Sequence, residues 1–157
     1  DLRRMAKRLA YPEALEQARR YCARQERAHQ EVRDKLYSWG LYRDAVEEAL
    51  GTLIGEGFLN EQRFAEAYAL GKFRQKGWGR RKIRQGLELK RVSGPCVRLG
   101  LAAIEEDEYL QGLRELADRR LNAERRGDAF ERRERTVRYL IGRGFEPDLV
   151  REVVGRE

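Results

Sequence analysis

The sequence predicts an all-α protein of three tandem three-helix repeats that stack into an elongated, curved solenoid without right-angled turns. Apolar residues recur at the i, i+3, i+4 and i+7 spacing of amphipathic helices, and no stretch shows the alternation typical of a strand. The apolar pattern also repeats along the chain. One shift places Val32 on Ile83, and a longer one places Gly40 on Gly144, so three copies of one helical unit follow each other.

The first repeat is expected to span residues 13–57, after a basic N-terminal extension of residues 1–12. Its first helix covers residues 13–27 behind Pro12, because proline is favoured at helix starts. The second helix covers residues 30–39 and stops at a glycine. The third helix closes before Gly57, and its apolar stripe consists of Val46, Ala49, Leu50, Leu53 and Ile54.

The second repeat is expected to span residues 58–106. Asn60 is a good N-cap, so a helix is predicted from Glu61 with an apolar stripe along one face. Gly77 and Gly79 end that helix, and Arg80 starts the next one. The apolar positions of these two helices are Phe64, Ala65, Tyr68, Ala69 and Phe73, then Ile83 and Leu87.

The third repeat is expected to span residues 107–157, with helices over residues 107–121 and 128–143 and a last one after Pro147. We expect its first helix to bury Leu110, Leu113, Leu116 and Ala117. Because a unit of about fifty residues buries little of its own surface, it is only marginally stable alone. We therefore expect neighbouring repeats to share a core.

Positive charge is concentrated in the second repeat. Residues 72–91 contain nine cations and one anion, a net charge of +8, whereas the whole chain carries +7. Most charge runs are solvated helix faces, but this concentration favours a surface that binds an acidic partner or nucleic acid. The predicted binding residues are Lys72, Arg74, Lys76, Trp78, Arg80, Arg81, Lys82, Arg84, Lys90 and Arg91.

Trp78 lies in the turn between the two basic helices, and its position allows two interpretations. An exposed indole stacks on a nucleobase or fills a partner's pocket. Alternatively, Trp78 packs into the seam between the first and second repeats. Trp39, which precedes a glycine at a helix end, is expected to belong to the core.

No residue pattern indicates an enzyme. His29 is expected on the surface at a helix start, and Ser38 and Ser93 have no histidine close in sequence that would activate them. The GWG sequence at residues 77–79 lacks the ending of a phosphate-binding loop and is expected to form a turn between helices. We therefore expect no catalytic residue, no metal site and no cofactor.

The sequence also predicts a cytoplasmic protein. No apolar run is long enough to cross a membrane, and residues 1–12 lack the apolar core of a signal peptide. Cys22 and Cys96 are expected to be small buried residues, and neither a disulfide nor a metal site is expected from them.

Three strings carry a resemblance to a known family. The second repeat contains LNEQRFAEAY and KGWGRRKIRQGLELKRV, and the third contains RYLIGRGFEPDLVREVV. Together with the threefold repeat, they resemble the RecX family, which regulates the recombinase RecA, from about Ala14 to Val154. The chain departs from the family pattern at Gly86, where an acidic residue is usual, and at Arg91, where the repeat favours glycine.

The resemblance implies a regulatory protein of DNA repair, recombination and the SOS response that is not itself an enzyme. It implies binding to RecA nucleoprotein filaments, and inhibition of RecA by lying in the filament groove and blocking growth. The expected partners are the RecA filament and the single-stranded DNA within it, with no membrane, and a monomer is expected.

The residues leave an alternative open, a helical DNA-binding transcriptional regulator, because short helices joined by glycine turns resemble helix-turn-helix units. Only residues 80–85 have the composition of a base-reading helix start. A sequence-independent footprint favours the filament regulator, and a defined operator favours the transcriptional regulator.

Overall fold

The computed structural model describes residues 8–155, so most of the expected N-terminal extension lies outside the described residues. Within this range the secondary structure consists of helices without any strand, which confirms the predicted fold class. The helices are α1 (Tyr11–Arg24), α2 (His29–Ser38), α3 (Arg43–Gly55), α4 (Glu61–Lys76), α5 (Arg80–Leu89), α6 (Gly94–Ala102), α7 (Glu106–Ala123), α8 (Ala129–Gly142) and α9 (Pro147–Val154).

The ends of α4 follow from the residues predicted to set them. Asn60 adopts an extended backbone, and its side-chain oxygen accepts a hydrogen bond from the Arg63 N–H at 2.9 Å. At the other end, Gly77 takes the left-handed conformation with φ of +67°, and its N–H donates to Phe73 O. The GWG sequence therefore forms the expected turn between α4 and α5.

The buried residues form two clusters. One lies within the first repeat, where α1, α2 and α3 pack on each other, and Leu59 joins it from the following loop. The other is continuous across the second and third repeats and includes Ala28 of the first. The second and third repeats therefore share a core, as expected. The first repeat instead has a core of its own.

Three aromatic rings span the boundary between the second and third repeats. The ring of Tyr109, on α7, lies 5.5 Å from that of Phe73, on α4, and 5.5 Å from that of Phe145, in the turn before α9. Tyr109 and Phe145 are fully buried. Tilted rings at this distance attract each other beyond the area that they bury, so this stack holds the two repeats together.

The burial of α7 differs from the prediction. Tyr109, Leu113 and Ala117 are its buried residues, whereas Leu110 and Leu116 are only half-buried. The buried stripe therefore starts at the tyrosine and runs at intervals of four residues. Burial of the polar Tyr109 hydroxyl is not unfavourable here, because it accepts a hydrogen bond from the Arg80 N–H and donates one to Glu146.

Two smaller predictions for the first repeat have opposite outcomes. Trp39 is buried with 8% of its surface exposed, as predicted. Ile54, predicted in the apolar stripe of the third helix, is 46% exposed, so that prediction is wrong. The stripe of α3 ends at Leu53, because one further residue turns Ile54 away from the core.

Arg91 occupies a position that the other repeats give to glycine. Its φ is +60°, the one positive φ of a non-glycine residue within residues 8–155, and the equivalent Gly40 and Gly144 have φ of +90° and +101°. A side chain makes the left-handed conformation unfavourable by about 1 to 2 kcal/mol. Arg91 is therefore a strained residue between α5 and α6.

We expect Arg91→Gly to raise the free energy of unfolding by about 0.5 to 1 kcal/mol, because relief of the strain exceeds the entropy that glycine adds to the unfolded chain. Urea denaturation measures the difference. As a control, Arg84→Gly within α5 should lower stability by about 1 kcal/mol. An unchanged or lower stability for Arg91→Gly would contradict the strain.

Candidate partner and nucleic-acid interface

The structure divides the cations of residues 72–91 into two groups. Three of them are already engaged by carboxylates of neighbouring repeats. Arg74 contacts Glu108 of α7 at 2.8 Å, and Lys90 contacts Glu31 of α2 at 3.3 Å. The third, Arg80, binds two carboxylates of the third repeat.

Arg80 lies at the centre of a polar network between the second and third repeats. Its guanidinium donates to Glu146 at 2.8 Å and to Glu106, and it stacks over the Tyr109 ring at 3.7 Å from the centroid. The backbone N–H of Arg80 donates to the Tyr109 hydroxyl at 3.0 Å, and that hydroxyl donates to Glu146. Arg80 therefore joins two repeats and is not an open binding residue.

This network shifts the acidity of its members. Burial alone would raise the pKa of Glu146, but the hydrogen bonds from Tyr109 and Arg80 outweigh it and hold that pKa below its ordinary value. Burial, with the neighbouring Glu146 carboxylate, raises the pKa of Tyr109. Glu146 therefore stays ionised and Tyr109 stays neutral across the physiological range, which keeps the network intact.

The backbone at the start of α5 is docked on the turn between α8 and α9. Gly79 N–H donates to Arg143 O, and Arg81 N–H donates to Gly144 O, both at 2.9 Å. A Cβ atom on Gly79 would lie 2.3 Å from the backbone nitrogen of Phe145, so only glycine fits here. The N-terminal end of α5 is consequently covered by the third repeat.

The other cations of the window carry no ion pair with any residue in the described part of the chain. Most of them are exposed, while Lys72 and Lys82 are half-buried. Because no carboxylate between residues 8 and 155 neutralises them, their charge is directed toward solvent or a ligand. We call this set the open basic surface, and it consists of Lys72, Lys76, Arg81, Lys82, Arg84 and Arg91.

Trp78 lies beside two lysines of the open basic surface. The Lys82 and Lys72 ammonium groups stand 4.6 and 4.8 Å from its ring centroid, and Tyr68 packs edge-on at 6.5 Å. Both ammonium distances are within the range of cation–π attraction. The indole is half-buried and packs against the core cluster that spans the second and third repeats and includes Ala28 of the first.

Gly86 explains how Tyr68 reaches this position. A Cβ atom on Gly86 would lie 2.1 Å from the Tyr68 hydroxyl oxygen, so a side chain there would displace the ring. The absence of a side chain at Gly86 therefore makes room for Tyr68, which in turn supports Trp78.

His29 and the two cysteines are partly or fully buried. His29 is half-buried, not on the surface as expected, and its Nε2 is enclosed without a hydrogen-bond partner. Cys22 is buried, and burial raises the pKa of its thiol to about 11; Cys96 is half-buried, less than expected. Among residues 8–155, no group of histidine, cysteine and carboxylate side chains is arranged to hold a metal ion, and no helix has the length and apolarity to span a membrane.

Sequence reasoning missed the partners of Arg80. Glu106, Tyr109 and Glu146 lie far from it in the chain, and their charges are unremarkable among many others. One signal was available for Tyr109, since it stands four residues before Leu113 and eight before Ala117 on a single helix face.

The fold and the site define a class: an all-helical protein of three tandem three-helix units whose middle unit presents a basic surface. Family models match each unit separately. They are the first, second and third three-helix domains of RecX, over residues 14–53, 60–101 and 106–154. The chain belongs to the RecX family.

Individual relatives agree with this assignment. The regulatory protein RecX of Vibrio vulnificus strain CMCP6 is 30% identical over 140 residues, which cover 86% of each chain. That of Clostridium perfringens strain 13 is 26% identical over 132 residues, 83% of this chain but only 61% of that protein. The chain thus matches about three fifths of the length of this second relative.

A crystal structure of RecX from Lactobacillus salivarius has the same fold. The two superpose with a TM-score of 0.84, covering 92% of this chain and 94% of the other at 21% sequence identity. At that identity the likeness supports the fold alone.

Proposed function

We propose that this RecX-family protein binds RecA nucleoprotein filaments and inhibits RecA recombinase and ATPase activity. It lies in the filament groove as a cytoplasmic monomer and blocks filament growth by occupying space, with no reaction of its own. The observation that carries the proposal is the open basic surface, which includes the two lysines beside Trp78 and whose cations have no carboxylate partner within residues 8–155.

The physics of this surface suits the single-stranded DNA in such a filament. Unpaired lysine and arginine side chains bind phosphates and release counterions, which gives affinity without sequence preference. Trp78 adds an aromatic group on which a base stacks once the lysines turn to phosphates. A contact of this kind does not depend on the base sequence. A regulator of filaments needs this property, because the filaments form on DNA of any sequence.

The alternative, a transcriptional regulator, is disfavoured by the position of α5. A recognition helix enters the major groove with its N-terminal residues. Here the N-terminal end of α5 is docked on the third repeat through Gly79, Arg80 and Arg81. Residues 80–85, the only segment with a base-reading composition, therefore do not present a free helix start.

Removing part of the open basic surface should weaken nucleic-acid binding while leaving the fold intact. We expect the triple variant Arg81→Ser, Lys82→Ser and Arg84→Ser to lower the salt dependence of single-stranded DNA binding by about 0.7 for each lost phosphate contact, and by about 2 in total. Arg80 is retained because it joins the repeats. Fluorescence anisotropy of a labelled oligo-dT across a salt series measures the slope.

The matched control removes three exposed cations from other helices, Arg24→Ser, Arg114→Ser and Arg138→Ser, with the same change in net charge. It should keep the wild-type slope and should still inhibit RecA-driven strand exchange and ATP turnover. The triple variant should lose this inhibition. If the wild-type protein leaves both RecA activities unaffected at several-fold excess, the proposed function is wrong.

A further inference from the structure

A cleft of about 600 Å³ opens between the second and third repeats, beside the open basic surface. One wall is the C-terminal turn of α4, and the other is α7. Phe73, Leu116 and Tyr139 contribute apolar surface to it. The cleft contains Lys76 and Gly77, so it begins where the turn that carries Trp78 begins.

The carboxylates in the cleft have partners, whereas two of its cations have none among the described residues. Both carboxylates have partners, because Glu108 binds Arg74 and Glu115 accepts a hydrogen bond from Gln111 at 3.2 Å. Lys76 and Arg119 make no ion pair with any residue between 8 and 155.

Arg143 completes the set of cations. It donates to Lys76 O, but its Nε is buried and has no hydrogen-bond partner. A buried donor without a partner is unfavourable, so the Arg143 side chain would gain by turning toward an acceptor in the cleft. The cleft is therefore lined by three cations that make no ion pair with any residue between 8 and 155.

We infer that this cleft is a docking site for an acidic side chain, with an apolar neighbour, of a protein partner. Lys76, Arg119 and Arg143 all line the cleft and would attract the carboxylate, while Tyr139 and Leu116 offer apolar surface to its neighbour. The inference rests on the proposed function, since the partner is then the protein of the RecA filament.

A protein side chain fits this cleft better than nucleic acid does. A phosphodiester chain carries a charge at every residue, and its neighbouring phosphates would lie against Glu108 and Glu115. A polypeptide places one carboxylate between uncharged groups. The protein thus binds DNA through the open basic surface and protein through the cleft, and Lys76 lies where the two meet.

Charge reversal at Arg119 separates these two contacts. Arg119 is exposed, so Arg119→Glu should not disturb the fold, and Arg114→Glu on the same helix is a control with the same change in net charge. The two positions are five residues apart and face about 140° away from each other. The readouts are binding to RecA-coated oligo-dT and binding to bare oligo-dT, at one salt concentration.

We expect Arg119→Glu to bind the coated DNA about tenfold more weakly than Arg114→Glu does, as for the loss of one desolvated charge contact. Binding to bare oligo-dT should be equal for the two variants within about twofold. Equal binding to the coated DNA would overturn the docking site. A parallel loss on bare DNA would assign the cleft to nucleic acid instead.

The experiment also distinguishes the failure of the proposed function. If the proposed function is wrong, the wild-type protein binds bare oligo-dT but shows no preference for the RecA-coated form. That result would also overturn the assignment of RecA as the partner of the cleft. If the wild-type protein prefers the coated form and Arg119→Glu keeps that preference, the docking site alone is wrong.

Discussion

Gly79→Ala is expected to separate the second and third repeats and to lower the free energy of unfolding by about 3 kcal/mol or more. The added Cβ would lie 2.3 Å from Phe145 N and 2.5 Å from Gly144 O, which are backbone atoms that no side-chain movement can clear. The two backbone hydrogen bonds from Gly79 and Arg81 would be lost together with the close approach.

A second glycine provides the control for this substitution. Gly71 lies inside α4, and a Cβ atom there would meet no other atom within 4 Å. Gly71→Ala should therefore raise stability by about 1 kcal/mol through helix propensity alone. Thermal or urea denaturation followed by circular dichroism compares the two. Similar stabilities for both variants would refute the tight approach at Gly79.

Arg80→Ala is expected to lower the free energy of unfolding by about 2 kcal/mol, because it leaves the half-buried Glu146 without its cationic partner. Arg81→Ala, one position further along α5, should change stability by less than about 0.5 kcal/mol, since Arg81 is exposed and has no ion pair in the described part of the chain. Single-stranded DNA binding should show the reverse order, with the larger loss for Arg81→Ala.

The pH dependence identifies the cause of the Arg80 effect. Since the pKa of Glu146 is lowered in the folded protein, its contribution to stability is complete above the ordinary glutamate value of about 4.3. It is lost as the pH falls through the lower, folded-state value. The stability difference between wild type and Arg80→Ala should therefore be constant from neutral pH down to about 5 and should shrink below about 4. A difference independent of pH would point to packing rather than to the ion pair.

The repeat pattern predicted the helices because their signals are local. Asn60 caps its own helix, Gly77 ends it, and the stripe from Phe64 to Phe73 follows from spacing within a few turns. The cations of the basic window could be counted in the same way. Their roles could not be separated, because Arg80 and Arg81 are adjacent and chemically identical in the sequence.

The roles of Arg80 and Arg81 differ because of a contact between residues that are distant in the sequence. Arg80 and Glu146 are 66 residues apart, and the pairing exists only once α7 and the α8–α9 turn have packed against α5. The surroundings of Trp78 depend on contacts of shorter range, because Tyr68 and Lys82 lie on the two helices that its turn connects. The binding surface could not be located from the sequence, because ion pairs formed in the tertiary structure decide which cations remain free to bind.

The division of the apolar residues into two clusters sets an order of assembly on the ribosome. The first cluster is complete as soon as Leu59 has been synthesised, so the N-terminal unit can fold while the rest of the chain is still being made. Apart from Ala28, the second cluster begins with Phe64, and it needs Tyr109, Phe145 and Val154, which are synthesised later. The apolar faces of α4 and α5 therefore stay partly exposed near the ribosome until α7, α8 and α9 have been synthesised and have packed on them.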